Sequence, residues 1–339
     1  MSGKEWDTLY LDGAKNLINS LELTTEDNLI ILSNEGSKDF TGYILEGAKQ
    51  KKIDNVIHVV LPDSYRPVTK IPNSLAGAIE KAKGLIYMVN RLPEENFTFN
   101  RPLQNLCVKN KCKYVYIYDP KLRYLKEGIA AGYKEVYKKA LKIKRILENS
   151  KEINITSEIG TNLTFSIYTH NIIPRSPVFP KDFYWNQAPE GEVMTCPIES
   201  TFNGTLVVDG PVTGMGQPEN LTKWTFKNGI VTKVEGDDEF LSKLLANLQA
   251  SDKRLKSLIG IWIAEFSVGF NDWAVFDDNI SNCEKVSGGI HFAMGNSEGL
   301  GVDRGETFHF DNIVKTPTIM ITDINGKKIT LSQSGKPTI

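Results

Sequence analysis

The first half of the chain alternates short apolar runs with amphipathic stretches, and this alternation limits the topology more than any other feature. Asn28–Ser33, Val56–Leu61, Gly84–Val89 and Lys113–Tyr118 have the character of strands, the first an apolar run of the kind covered on both faces. Leu11–Leu21, Phe40–Lys51, Ser74–Ala82 and Tyr124–Asn149 read as the helices around them. Strands that alternate with helices need crossover connections, which are right-handed, so the sheet is mostly parallel. The expectation is a Rossmann-like α/β domain over residues 1–150. Its first strand-to-helix turn, Ser33-Asn34-Glu35-Gly36-Ser37, has neither GxGxxG nor a P-loop, and Glu35 would repel a phosphate there. The domain therefore reads as a scaffold rather than a dinucleotide site.

Near Lys151 the pattern changes. Glu152–Ser157 and Asn162–Tyr168 alternate with the period of two that belongs to half-buried strands. Asn203-Gly204, Asn228-Gly229 and Asn325-Gly326 read as hairpin turns, and one helix is expected over Asp237–Gln249. Residues 151–339 are thus expected to form a β-rich α+β domain.

Bulk properties exclude several partners. With 40 Lys and Arg against 41 Asp and Glu, the net charge is −1, which offers no electrostatic footprint for nucleic acid or an anionic membrane. The chain has no run of 18 apolar residues and no apolar core of a signal peptide at Met1–Asp7, so a cytoplasmic protein is expected. Cys107, Cys112, Cys196 and Cys283 lack the paired spacing of a zinc ribbon or a redox motif and read as free thiols.

Chemistry concentrates near the C-terminus. Two of the chain's four histidines, His291 and His309, flank the glycine-rich segment Met294–Gly301, and the second opens the triplet His309-Phe310-Asp311. In a strand, residues two apart share a face, so His309 and Asp311 aim an imidazole and a carboxylate at one point. Glu265 sits in the almost wholly apolar segment Ile259–Gly269, where a buried charge needs a partner or a metal. Glu192 enters a strand from the turn Pro189-Glu190-Gly191. His58, inside an apolar strand, and His170, beside a hairpin strand, read as structural or surface residues.

These segments, in order, resemble the M29 metallopeptidases, the aminopeptidase T and thermophilic leucyl aminopeptidase group. The resemblance rests on Gly160–Thr164, Pro189–Val193 followed by Thr205–Val208, Ala264–Asn271, Gly289–Asn296 and His309–Asp311. It implies a homodimeric hydrolase holding two divalent ions, zinc, cobalt or manganese, on Glu192, Glu265, His291, His309 and Asp311. Metal-activated water would attack the amide carbonyl of a peptide or small-molecule substrate, with Glu265 assisting proton transfer. Seven residues after the first metal-binding histidine the family carries a tyrosine that stabilises the transition state. This chain has Glu298 there, which is suited instead to a cationic substrate group, and Arg304 is a nearby source of positive charge. The same superfamily contains dihydroxypyridine dioxygenases with one Fe(II). By that alternative His291, His309 and Asp311 form the iron-binding triad, although those enzymes resemble this chain less at Glu265, where they carry a histidine.

Overall fold

The computed structural model describes residues 7–339; the segment read as lacking a leader falls largely outside them. No helix among the described residues is long and apolar enough to cross a membrane. The chain divides into two compact units, one of residues up to Val136 with Ser176–Glu190, the other of Tyr137–Arg175 with Gly191–Ile339. The chain returns once to the first unit, at Ser176–Glu190.

The first unit is the expected α/β domain. Its parallel sheet runs β2 (Val56–Leu61), β1 (Leu29–Asn34), β3 (Gly84–Val89), β4 (Lys113–Tyr118), then the short strand Trp185–Gln187. Every residue of β1 and β3 is buried, as strands covered on both faces must be. Leu29, Ile31, Ile86 and Met88 point to the layer of α1 (Thr8–Ser20) and α2 (Lys38–Gln50). Ile30, Leu32, Leu85 and Tyr87 point to the layer of α3 (Asn73–Ile79) and α4 (Arg101–Lys109). The strand order reverses between β1 and β3, where open α/β sheets place ligands. Here Asn34 Nδ2 donates to Asn90 Oδ1 at 3.0 Å and to Asp63 Oδ1 at 3.1 Å. A Cβ added at Gly36 would lie 2.2 Å from Asn90 Oδ1, so side-chain amides fill this crevice. His58 lies on the edge strand β2 with Nε2 2.9 Å from Ser33 Oγ.

Two local expectations are corrected. The helix expected over Tyr124–Asn149 is a 3₁₀ turn at Leu122–Leu125 followed by a helix at Tyr133–Glu148. Gly128 and Gly132 lie in the gap, where glycine carries the largest entropic cost in a helix. Asn203-Gly204 is not a hairpin turn but the start of the strand Asn203–Val208, with Gly204 paired to Leu163 on one side and Phe226 on the other. Any Cβ at Gly204 would collide with Asn162 O at 2.1 Å, so this glycine serves close strand approach. Asn228-Gly229 and Asn325-Gly326 do form tight turns between paired strands.

The second unit contains two antiparallel sheets. One has eight strands, including Ser150–Thr156, Asn162–Phe165, Asn203–Val208 and Thr222–Lys227. The other has five, in the order His309–Val314, Ile290–Gly295, Ile263–Gly269, Glu192–Thr195, Ile173–Arg175. They meet through aromatic rings. Phe165 packs edge-on to Phe266 at 5.1 Å and to Phe292 at 5.7 Å, Phe202 reaches Phe292 at 5.5 Å, and Trp224 reaches Phe310 at 5.9 Å. Each such pair contributes about 0.5–1.5 kcal/mol beyond its area burial. Phe292 is fully buried within this cluster and touches three of its rings. Phe292→Ala is expected to cost about 3–5 kcal/mol, read as a lowered urea midpoint with an unchanged slope.

Candidate metal centre

Phe266, Phe292 and Phe310 project toward the aromatic layer, so their neighbours project to the opposite face. Those neighbours are Glu265, His291, His309 and Asp311, and Glu192 joins them from the next strand. Cross-strand register completes the arrangement. Asp311 lies opposite Ala293, which lies opposite Glu265; His291 lies opposite Ser267; His309 lies opposite Gly295; Glu192 lies opposite Gly269. Small residues thus lie opposite most of the charged ones, which leaves room for the longer side chains to converge. Register slips between Ile263 and Glu265, so Ala264 is an extra residue on its strand. Bulges of this kind re-aim side chains, and this one turns Glu265 to the face of the histidines. Gly295 has φ of +102°, and a Cβ there would lie 2.4 Å from Phe308 O.

Five of the six residues singled out in the sequence meet on this face. His291 Nε2 is 3.0 Å from Glu265 Oε1, 3.7 Å from Glu192 Oε2 and 3.9 Å from Asp311 Oδ1. His309 Nε2 is 3.2 Å from Asp311 Oδ1 and 3.6 Å from Glu265 Oε2. Glu192, Glu265 and His291 are buried, while His309 keeps 37% of its side chain exposed and gives the site its accessible side. The sixth, Glu298, lies exposed on the 3₁₀ turn Glu298–Leu300, and none of its polar contacts joins it to the five. Arg304 does not supply charge to the group either. It binds Glu199 and Ser297 and lies over the Trp262 ring, pinning the segment that carries it.

Supporting residues fix the donors. His309 Nδ1 contacts the carbonyl of Asn296 at 2.7 Å. A carbonyl only accepts, so Nδ1 carries the proton and a neutral His309 presents the lone pair of Nε2 to the site. Thr213 Oγ1 donates to Asp311 Oδ2 at 2.9 Å and accepts from the Asp311 backbone N–H at 2.9 Å. Ser267 Oγ donates to Glu192 Oε2 at 3.1 Å. Lys285, 1% exposed, reaches Glu192 Oε1 at 2.5 Å and Glu284 Oε2 at 2.9 Å. Sequence reasoning missed Thr213, Ser267, Glu284 and Lys285. A Glu-Lys pair a few residues ahead of Gly288-Gly289 reads as a surface segment, and only the tertiary structure buries it.

The electrostatics point one way. Burial opposes charge on His291, yet its hydrogen bond to Glu265 and the charge of Glu192 push its pKa up to about 9. Burial opposes charge on His309 too, and Asp311 and Glu265 raise it to about 10. Burial raises Glu284 to about 7, against the pull of Lys285. Asp311 is held well below the usual carboxylate range, His309 and His291 overcoming the effect of burial. Clustered carboxylates around two imidazoles therefore attract positive charge. Glu192, Glu265 and His291 can each place one ligand atom within 4.8 Å of the others. Imidazole nitrogen and carboxylate oxygen suit iron(II), zinc, cobalt or manganese, and the set fits a divalent ion.

The family model for 2,5-dihydroxypyridine 5,6-dioxygenase, NicX, matches residues 13–329. The chain belongs to that family. It is accordingly an enzyme, and the M29 resemblance holds as a relationship of fold. The structure of 2,5-dihydroxypyridine dioxygenase from Pseudomonas putida KT2440 superposes with a TM-score of 0.69 at 16% identity, over 99% of this chain and 98% of that one. Wild-type AmpT from Thermus thermophilus superposes with a TM-score of 0.69 at 12% identity, over 97% and 99%. No curated protein sequence matches.

His309→Ala and Asp311→Ala are each expected to abolish tight metal binding, whereas His58→Ala and His170→Ala leave it intact. Bound metal after exhaustive dialysis is the measurement. Ala293→Leu should likewise lose the ion, because its added bulk lies between Asp311 and Glu265, at about 1–3 kcal/mol of stability.

Proposed function

We propose that this enzyme is a mononuclear non-haem iron(II) dioxygenase that opens a dihydroxypyridine or catechol-like ring. Family membership over residues 13–329 carries the reading. The chemistry of the site supports it, since two histidines and an aspartate are the donor set of iron(II) oxygenases with open positions. His291, His309 and Asp311 would hold the ion, which when bound supplies the redox chemistry that lets dioxygen react with an aromatic ring.

The chain's own residues supply the rest. Thr213 and the Asn296 carbonyl hold Asp311 and His309 in fixed orientations. Glu265, 4% exposed and facing both imidazoles, is placed to accept a proton from a ring hydroxyl as the substrate docks. The hydroxyl pair of such a substrate, not a long polymer, is what this compact group recognises. We propose a small-molecule substrate on the same basis, a homodimer from the M29 resemblance and a cytoplasmic enzyme from the sequence features described above.

A two-metal aminopeptidase-type hydrolase is the second reading. One observation favours it: Glu192 and Glu265 both reach His291, where a single triad needs neither.

Oxygen consumption separates the two. With Fe(II) loaded anaerobically, 2,5-dihydroxypyridine or a catechol is expected to consume one O2 per substrate as the aromatic absorbance is lost. Hydrolysis of aminoacyl-anilides by the zinc, cobalt or manganese form, without oxygen uptake, would overturn the proposal. Glu265→Gln should retain the ion and lose about 10²–10⁴ of the turnover.

A further inference from the structure

Glu192 is the residue on which the number of metal ions turns, and Lys285 holds it. A carboxylate that bridges two ions gives a lone pair to each, most simply one from each oxygen. Here Oε1 accepts from Lys285 Nζ at 2.5 Å, and Oε2 accepts from Ser267 Oγ at 3.1 Å. Lys285 is not a surface chain that swings away. It is buried, its ammonium is tethered on a second side to Glu284 at 2.9 Å, and its carbonyl accepts from the Asn271 N–H at 2.8 Å. Arg175, also buried, stands opposite Glu192 in the adjacent strand and adds a second positive charge near it. A second divalent ion on Glu192 would have to share Oε1 with the ammonium or displace it, within the field of the Arg175 charge. Like charges at such range repel strongly where water is excluded.

We infer that Lys285 sets the metal count of this enzyme at one by occupying Glu192 Oε1, so that Glu192 cannot bridge to a second ion. The inference rests on the reading of this site as a metal centre and names the residue that decides between its one-ion and two-ion forms. Lys285 is thus a positioning residue: it acts on the metal through Glu192.

The test is a Co(II) titration of the full chain, followed by visible absorbance and by metal retained after gel filtration. The wild type and Glu192→Gln are expected to bind one ion each. Lys285→Met, which frees Glu192, is expected to bind two, and Lys285→Met/Glu192→Gln to return to one. Two ions on the wild type would overturn the inference and leave the metal centre standing; none would overturn the metal centre itself. A folded Lys285→Met that still binds one ion also refutes it. Should Lys285→Met fail to fold, the wild-type count decides: one ion supports the inference, and two overturn it.

Discussion

The site depends on strand parity. Along Ile263–Gly269, Ile290–Gly295 and His309–Val314, even-numbered residues bury phenylalanines against a second sheet and odd-numbered residues carry the ligands. A slip of one residue would drive Glu265, His291 and Asp311 into the aromatic layer and turn Phe266, Phe292 and Phe310 toward the opposite face. Burying unpaired charges there is prohibitive, so the aromatic packing specifies register and register specifies the ligand set. Stability and chemistry are consequently written into the same strands.

That coupling explains why the site's positive-charge demand does not unfold the sheet. Glu192, Glu265 and Asp311 share one face, with Glu284 beside them and the Lys285 ammonium paired to Glu192 and Glu284. Alone they would repel one another in a poorly solvated space. Two imidazoles, raised to about 9 and about 10, answer part of this repulsion by taking up protons. A divalent ion answers it better, because it delivers two charges to the point where the donors converge. Protonation and metal binding therefore compete for the same lone pairs, as is general for metal sites.

The legible part of the site was the part encoded by short spacing and by mismatch with local context. His309 and Asp311 share a face because they are two apart in a strand, and Glu265 stood out because its neighbours are apolar. The alternation of the first half exposed its parallel sheet for the same reason: periodicity is local. What escaped was what only register or burial creates. Lys285 sits in an ordinary Glu-Lys pair, Thr213 in a loop, and the bulge at Ala264 leaves no mark in composition. Gly204 misled because Asn-Gly signals a turn when it follows a strand, whereas here it opens one. Glu298 misled differently, since its position was inferred by counting along a loop whose path was unknown.

The superpositions on a dioxygenase and on a peptidase raise a physical question that fold cannot answer, because both share it equally. What distinguishes oxidative from hydrolytic chemistry on this sheet is how many cations the donor set demands and which donors remain unengaged. Two histidines and one aspartate satisfy one ion and leave positions for a chelating substrate. Two further glutamates create a bridge for a second ion only if nothing else claims them. Here a buried ammonium claims one of them, and the other faces both imidazoles at hydrogen-bonding range or just beyond it. On the one-ion reading proposed above, inventory alone misjudges this centre. Five ligand-type residues describe a two-metal site on paper, but on that reading the buried Lys285 ammonium at Glu192 Oε1 disfavours the second ion. The partner of each donor, rather than the donor count, carries the functional information.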